Sequence, residues 1–136
     1  MTIRDCGPYD ERAVTALYAA VGWTNYTKNP AMLKEAFAHS LCALGAYEDD
    51  KLVGLVRAVG DGASIVFIQD VLVLPEYQRR GIGTALVKAV MARYAGVYQL
   101  QLLTDSTPRA KAFYRSLGFS DAADIGCSAF IMMATE

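Results

Sequence analysis

A large excess of charge of either sign is missing from this chain. Its 136 residues hold 13 Lys and Arg against 14 Asp and Glu, a net charge of −1. That balance removes the bulk basic signal of a nucleic-acid-binding domain and leaves only local exceptions such as Arg79–Arg80. No nucleic-acid partner is expected. Cysteine is scarce too. Cys6, Cys42 and Cys127 are widely spaced, form no CxxC pair and are odd in number, which argues against a disulfide framework. All three fall in apolar stretches and read as packing residues. The lone histidine, His39, gives poor support for a zinc site and reads as a cap or surface residue. No metal is expected. Although 54% of the residues are hydrophobic, no apolar run approaches the roughly 20 residues of a membrane span. The opening stretch MTIRDCGPYDER mixes acids and bases and lacks the apolar segment of a secretory signal. A cytoplasmic location with no membrane partner is the expectation. With no repeat, low-complexity tract or linker, the length suits a single domain over 1–136 with its own core.

What is present is a regular change of hydrophobic period. Residues 2–5 read as a strand. Residues 10–21 read as a helix capped by Asp10, with Val14, Leu17, Tyr18 and Val21 on one face. Gly22 ends it, and GWTNYTKNP reads as an aromatic, polar loop. Pro30 opens a second helix through about Phe37. Residues 41–47 and 52–59 read as strands joined by a hairpin at Asp49–Asp50, and Gly60-Asp61-Gly62 is a further turn. The run SIVFIQDVLVL at 64–74 is a strand apolar enough to be covered on both faces, and it ends at Pro75. A helix begins at Gly81, a strand spans 97–103, and a helix spans 109–117 with Gly118 as its cap. Residues 126–133 (GCSAFIMM) read as a last strand, with one more short strand around 119–122. The order is β-α-α-β-β-β-α-β-α-β. It predicts an α/β (α+β) fold with a mixed central sheet of 6–7 strands flanked by about four helices, and a ligand crevice near the carboxyl ends of the strands. The apolar last strand either enters the sheet or completes a homodimer surface.

The stretch VLVLPEYQRRGIGTALVKAV is strand, tight turn, helix. A helix start leaves backbone N–H groups unpaired at the positive end of its dipole. Gly81 and Gly83 keep side chains out of the way, and Arg79 and Arg80 add positive charge at the rim. The design suits a diphosphate. It is neither a P-loop, which needs GxxxxGK[ST], nor a dinucleotide fingerprint, which needs GxGxxG and a later acid. On spacing alone, a helix start that uses glycine for tight packing is an equally open reading.

QRRGIG at 78–83 resembles the Q/R-x-x-G-x-G/A pyrophosphate motif of the GCN5-related N-acetyltransferases. AKAFYRSLGF at 110–119 resembles that family's A-x-x-F-Y-x-x-x-G-F landmark. The two lie in order, 27 residues apart from Gly83 to Ala110, as an intervening helix and strand require, and the resemblance covers essentially the whole chain. It implies the GNAT fold and acetyl-CoA as co-substrate. It places the pyrophosphate on the backbone N–H groups of Arg79, Arg80, Gly81, Ile82, Gly83 and Thr84, with Gln78 shaping the loop. It places the pantetheine arm against the main chain of Leu72 and Val73 and over Phe113. Tyr114 matches the tyrosine near the thioester sulfur. Thr107 stands where the family often has asparagine, so its cofactor contact is less secure, and Asp105 or Ser106 can share it.

The reaction implied is direct attack by a neutral primary amine on the thioester, through a tetrahedral intermediate, with Tyr114 protonating the departing thiolate and a strand N–H near Val73 holding the oxyanion. Asp70 is a candidate base, because an isolated carboxylate in VFIQDVLV is costly to bury without partners; a structural hydrogen-bonding role is equally open. Arg57 breaks an apolar strand and can pair with Asp61 or Asp70, and it stands with Trp23 and Tyr26 among the substrate-binding candidates. Trp23 and Tyr26 are candidates for the amine pocket, and capping the core is their alternative. VGWTNYT, LVGLVRAVGDG and DVLVLPEYQRRGIG look most similar to the small bacterial and plastid arylalkylamine (serotonin-type) subgroup. The expected partner is a small-molecule amine. A protein or peptide, polyamine or antibiotic acceptor, a non-catalytic acetyl-CoA-binding protein, and a different nucleotide-binding module are the alternatives.

Overall fold

The computed structural model describes residues 1–134. The chain divides into two compact units, Met1–Leu103 and Thr104–Glu136. The first unit holds a five-stranded sheet in the order β1 (Thr2–Asp5), β2 (Cys42–Glu48), β3 (Lys51–Gly60), β4 (Ile65–Val73) and β5 (Gln99–Leu102). The first four strands run antiparallel to their neighbours, and β5 runs parallel to β4. The helices of this unit are α1 (Glu11–Ala20), α2 (Thr24–Thr27), α3 (Pro30–Ala38) and α4 (Ile82–Arg93); the second unit holds α5 (Pro108–Ser116) and a 3-10 turn at Ala122–Ile125.

Local chemistry sets most boundaries. Asp10 accepts the Ala13 N–H at 3.2 Å and starts α1; Asn29 accepts the Met32 N–H at 3.2 Å and starts α3, with Pro30 in the first turn. Asp49 takes a left-handed conformation in the two-residue turn between Glu48 and Lys51. Asp61 accepts N–H groups from Ala63, Ser64 and Ile65 and the Ser64 hydroxyl, closing the turn into β4.

The two faces of the sheet are told apart on β3. Arg57 faces α1, whose Tyr18 shares its partner Asp70. Gly54, three residues away and so on the opposite face, packs under α4: a Cβ there would meet Ile82 and Leu86 at 3.2 Å. Glycine thus lets α4 settle close to the sheet, where Ile82, Leu86, Val87 and Val90 are buried, each contributing about 1.5–3 kcal/mol. On the other face Leu17, Tyr18, Leu33, Val53 and Leu55 complete the core.

Three sequence expectations change. The sheet has five strands rather than 6–7, and five α-helices stand in place of four. Residues 127–134 form no strand among the described residues, and Ala122–Ile125 is a 3-10 turn; a strand needs a ladder neighbour, which GCSAFIMM lacks here. The loop GWTNYTKNP contains α2, because Trp23 and Tyr26, three apart, both turn their rings onto Tyr18.

Candidate functional site

The β4–β5 ladder joins Ile65–Ile68 to Gln99–Leu102 and stops there. Beyond it, Gln69 is skipped at a register shift and Asp70–Val73 pairs with β3 only, which leaves one edge of β4 without a strand partner among the described residues. Strand alternation decides which main-chain groups face that edge. Leu74 donates its N–H to the Val53 oxygen of β3 at 2.9 Å, so even-numbered residues here address β3 and odd-numbered ones address the open side. The Leu72 carbonyl lies against Gly54 accordingly. Of the two residues expected to meet a pantetheine, Val73 presents its main chain to the open edge and Leu72 does not.

Gln78 donates from Nε2 to the Val73 oxygen at 3.1 Å, tying the start of the glycine loop to the end of β4. Between them Pro75–Tyr77 forms a 3-10 turn. Arg79 (φ 64°) and Gly81 (φ 78°) are both left-handed. For Arg79 that conformation costs about 1–2 kcal/mol. A Cβ on Gly81 would touch nothing within 4 Å, so glycine is needed there for backbone conformation rather than for space. Among the described residues, no acceptor takes the N–H of Arg79, Arg80, Gly81, Ile82, Gly83 or Thr84. Gly81 caps α4 without a side chain, and no acidic residue sits in the first turn. Six successive N–H groups around a helix start thus lack a protein acceptor among the described residues, beside the exposed Arg79 and Arg80. The Arg80 guanidinium leans on the Tyr77 ring, 5.0 Å from its centroid. Ile82 is buried and contributes only its main chain.

A second polar group is built in the middle of β4. Asp70 is 3% exposed and lies opposite Arg57 in the β3–β4 register. Its Oδ2 accepts Arg57 Nε at 2.8 Å and the Tyr18 hydroxyl at 2.8 Å; its Oδ1 accepts the Tyr26 hydroxyl at 3.1 Å. Ser40 accepts a further N–H from Arg57 at 3.3 Å. Burial and the Asp70 charge push the Tyr18 hydroxyl far above its ordinary pKa. Burial pulls the Arg57 guanidinium down, but Asp70 outweighs it and the net shift is upward. Asp61, the other partner open to Arg57, is spent on its own turn, whose hydroxyl and N–H donors hold its carboxyl well below the usual range. The rings of Tyr18, Trp23 and Tyr26 pack edge to edge or tilted, with centroids 5.0–6.3 Å apart. Trp23 and Tyr26 are half-buried, whereas Tyr18 is wholly buried. Tyr18 is the member that sequence reasoning missed. Its signal was a tyrosine on an apolar helix face, whose hydroxyl must find a partner.

In the second unit, Thr107 caps α5 by accepting the Ala110 N–H at 3.2 Å, which explains why a hydroxyl serves at that position. Tyr114 packs between Phe113 (centroids 4.9 Å) and Phe119 (5.9 Å). Burial, then the charge of Asp105, raises its hydroxyl above the ordinary tyrosine value. Asp121 pairs with Lys111 at 3.2 Å, and Arg115 reaches Asp121 and Asp124, so the acidic cluster at 121–124 is largely neutralised. The thiol of Cys6 is pushed up to about 11 by burial, and that of Cys42 is raised by burial too. Neither is an activated nucleophile. Cys127 is exposed rather than packed. His39 lies exposed at the end of α3.

The family model described as "Acetyltransferase (GNAT) domain" matches residues 39–121. A GNAT-family acetyltransferase structure from Streptococcus pneumoniae TIGR4 is 43% identical, with a TM-score of 0.89 over 99% of this chain and 98% of that one. GCN5-related N-acetyltransferase 1, chloroplastic, of Arabidopsis thaliana is 32% identical over 115 residues, 82% of this chain and 56% of the relative. Serotonin N-acetyltransferase 2, chloroplastic, of Oryza sativa subsp. japonica is 30% identical over 115 residues, with the same two shares. The chain thus spans about half the length of these curated relatives.

Proposed function

The chain belongs to the GNAT family of acetyltransferases, and from that premise we propose that it transfers the acetyl group of acetyl-CoA to the primary amine of a small molecule. The observation that carries the reading is the run of six N–H groups from Arg79 to Thr84, without an acceptor among the described residues, at the start of α4. Such a run is costly unless water or an anion occupies it, and the pyrophosphate of a coenzyme A thioester has the charge and the oxygen spacing to do so. The edge of β4 without a strand partner supports the same reading, since a pantetheine amide N–H can donate to the second lone pair of the Val73 carbonyl, which accepts Gln78 Nε2 on the first.

The chemistry follows from groups already named. The amine nitrogen attacks the thioester carbonyl and a C–N bond forms. The Val73 N–H, turned to the open edge, donates to the developing oxyanion. The C–S bond then breaks, and Tyr114 gives its proton to the leaving thiolate. A pKa raised by burial and by Asp105 keeps that hydroxyl protonated at neutral pH. Asp70 is a positioning residue rather than the base, because three donors, one of them Arg57, already occupy its two oxygens. Tyr26 has its proton committed to Asp70, so its oxygen lone pairs are free to accept an N–H of the amine. The amine's extra proton leaves to water past that oxygen.

The acceptor best supported is a monoamine with an aromatic or apolar body. Trp23 and Tyr26 offer half-buried ring surface, Arg57 cancels the Asp70 charge, and Lys111 and Arg115 answer the second unit's acids. A polycation finds no free acidic surface in these groups. The similarity to a rice enzyme named for serotonin points to the same class. The test is calorimetry with acetyl-CoA, ATP and NAD, followed by thiol release with a panel of arylalkylamines, polyamines, aminoglycosides and peptides. Acetyl-CoA should bind alone of the three, and arylalkylamines should turn over fastest. No acetyl-CoA binding would sink the reading, and tight binding without turnover on any amine would make the protein a sensor.

A further inference from the structure

We infer that Gln69 selects a primary amine over a secondary one: its side-chain oxygen accepts one N–H of the attacking nitrogen while Tyr26 accepts the other. The inference deepens the acetyl transfer proposed above and rests on it. β4 is an interior strand of the sheet, yet Gln69 in its middle is exposed, between the buried Ile68 and Asp70. The register explains how. Arg57 pairs with Asp70 and Ala58 with Ile68, so β3 offers no residue opposite Gln69. That is a bulge, one extra residue on β4. The bulge breaks the alternation of faces. Ala58 has the parity of Gly54, whose absent Cβ would meet Ile82 and Leu86, so Ile68 faces α4. In a regular strand Asp70, two residues on, would share that face. It faces α1 instead, where Tyr18 and Arg57 meet it. Gln69 is the residue at which the strand changes face. The β4–β5 ladder also ends beside it, at Ile68 opposite Leu102, so Gln69 opens the free edge. Bulges recur next to active sites because they re-aim a side chain. The other three glutamines each make an amide hydrogen bond, Gln78 to Val73 and Gln101 to Gln99, whereas the Gln69 amide bonds to no residue among those described.

Two routes meet at this residue. The proposed coenzyme A arm enters along the open edge of β4 from the loop Gln78–Thr84. The proposed acceptor enters past the rings of Trp23 and Tyr26, and the Tyr26 hydroxyl donates to Asp70 at 3.1 Å, whose Cα is about 3.8 Å from that of Gln69. A neutral primary amine carries one lone pair and two N–H groups. Its lone pair must point at the thioester carbon from about 3–3.5 Å, and holding both N–H groups fixes that direction. Tyr26 takes one. The Gln69 Oε1, an acceptor with two lone pairs, takes the other. The distances close. Val73 stands four residues further along the strand, about 13 Å away. A glutamine side chain about 5 Å long, two hydrogen bonds of about 3 Å and one near-attack contact of about 3 Å bridge that span. A secondary amine has a single N–H. It leaves either Gln69 or Tyr26 without its bond and sets a methyl group in its place, and an unpaired polar group at a closed contact is what makes such discrimination steep. Gln69 neither gives nor takes a proton, so the proton path already described is unchanged.

The test compares tyramine with N-methyltyramine, by thiol release, in the unmodified protein, Gln69→Leu and Gln69→Glu, with acetyl-CoA affinity measured for each by calorimetry. The unmodified protein should prefer tyramine. Gln69→Leu should lower kcat/KM for tyramine by about tenfold and change that for N-methyltyramine little, so the preference collapses while acetyl-CoA affinity stays. Gln69→Glu keeps an acceptor oxygen at the same reach and should keep the preference, which a merely structural role for Gln69 would not predict. Equal losses on both amines in Gln69→Leu would overturn the inference, as would no loss on either. A second readout needs no variant to fold: the Gln69 side-chain amide resonances of the unmodified protein, loaded with coenzyme A, should shift as tyramine is added. No shift at saturating tyramine overturns the inference. Turnover of both amines at equal kcat/KM by the unmodified protein removes this inference alone, whereas no turnover of any amine removes the acetyl-transfer reading and this inference with it.

Discussion

Asp70 in the middle of β4 and the loop Gln78–Thr84 beyond its end are both polar, yet they handle hydrogen bonds in opposite ways. At Asp70 the two carboxylate oxygens take three donors and almost no solvent reaches them. In the loop, six N–H groups have no acceptor within the described chain, and Gln78–Gly81 are exposed. The difference follows from burial. A charge inside the protein must be closed off by partners or the fold does not hold. A helix start in water can stay unfinished at small cost, and its unfinished state is what a ligand can complete. One region therefore spends its polar groups on structure, and the other leaves them open, as the proposed pyrophosphate site requires.

Substitutions should separate the two regions. The largest effect is expected at the closed one. Removing Arg57 or Asp70 singly, as Arg57→Ala or Asp70→Ala, strands a buried charge and should cost about 3–5 kcal/mol in urea unfolding. The double variant Arg57→Met with Asp70→Leu should recover most of that loss. If the single variants unfold like the parent, Asp70 is not closed as described. Next comes the proposed proton donor: Tyr114→Phe should lower kcat by about 100-fold while acetyl-CoA binding persists, read by single-turnover kinetics beside calorimetry. At the open region the order of effects reverses. Gly81→Val must hold a β-branched residue at positive φ, at a stability cost of about 1–2 kcal/mol, and should weaken acetyl-CoA binding by about tenfold or more, roughly 1.4 kcal/mol. Arg79→Ala should change that affinity only a few-fold. Equal affinity in both variants would remove the contrast between backbone and side-chain recognition. The smallest effect concerns pH. Burial and Asp105 raise Tyr114, so the alkaline limb of kcat should lie above about 10. Asp105→Asn removes a negative charge that favours the protonated phenol, and should move that limb down by less than about one unit.

Legibility in the sequence followed distance along the chain. The glycine loop could be read because strand, turn and helix start are contiguous, and the loop's chemistry belongs to its own main chain. Even there, the left-handed Arg79 was hidden, since arginine carries no signal for positive φ. The Asp70 group could be read only by halves. A carboxylate in an apolar strand announces a need for partners, but those partners lie 13, 44 and 52 residues away. The β3–β4 register chose Asp70 over Asp61 for Arg57. The same register turned the main chain of Val73 outward and that of Leu72 toward β3, a choice that no composition or spacing contains. GCSAFIMM reads as a strand by propensity, and in the described chain it pairs with nothing.

Sequence alone thus determined the order of the elements through β5 and α5 apart from α2, the glycine turn that starts α4, and the family to which both motifs belong. These depend on short-range periodicity and on local backbone geometry. Tertiary structure decided which charges face each other, which aromatic rings gather over Asp70, which residues of β4 have main chain to offer, and where a strand-forming segment is left without a ladder. Each of those depends on register and packing between distant segments, and contacts of that kind exist only once the chain has folded.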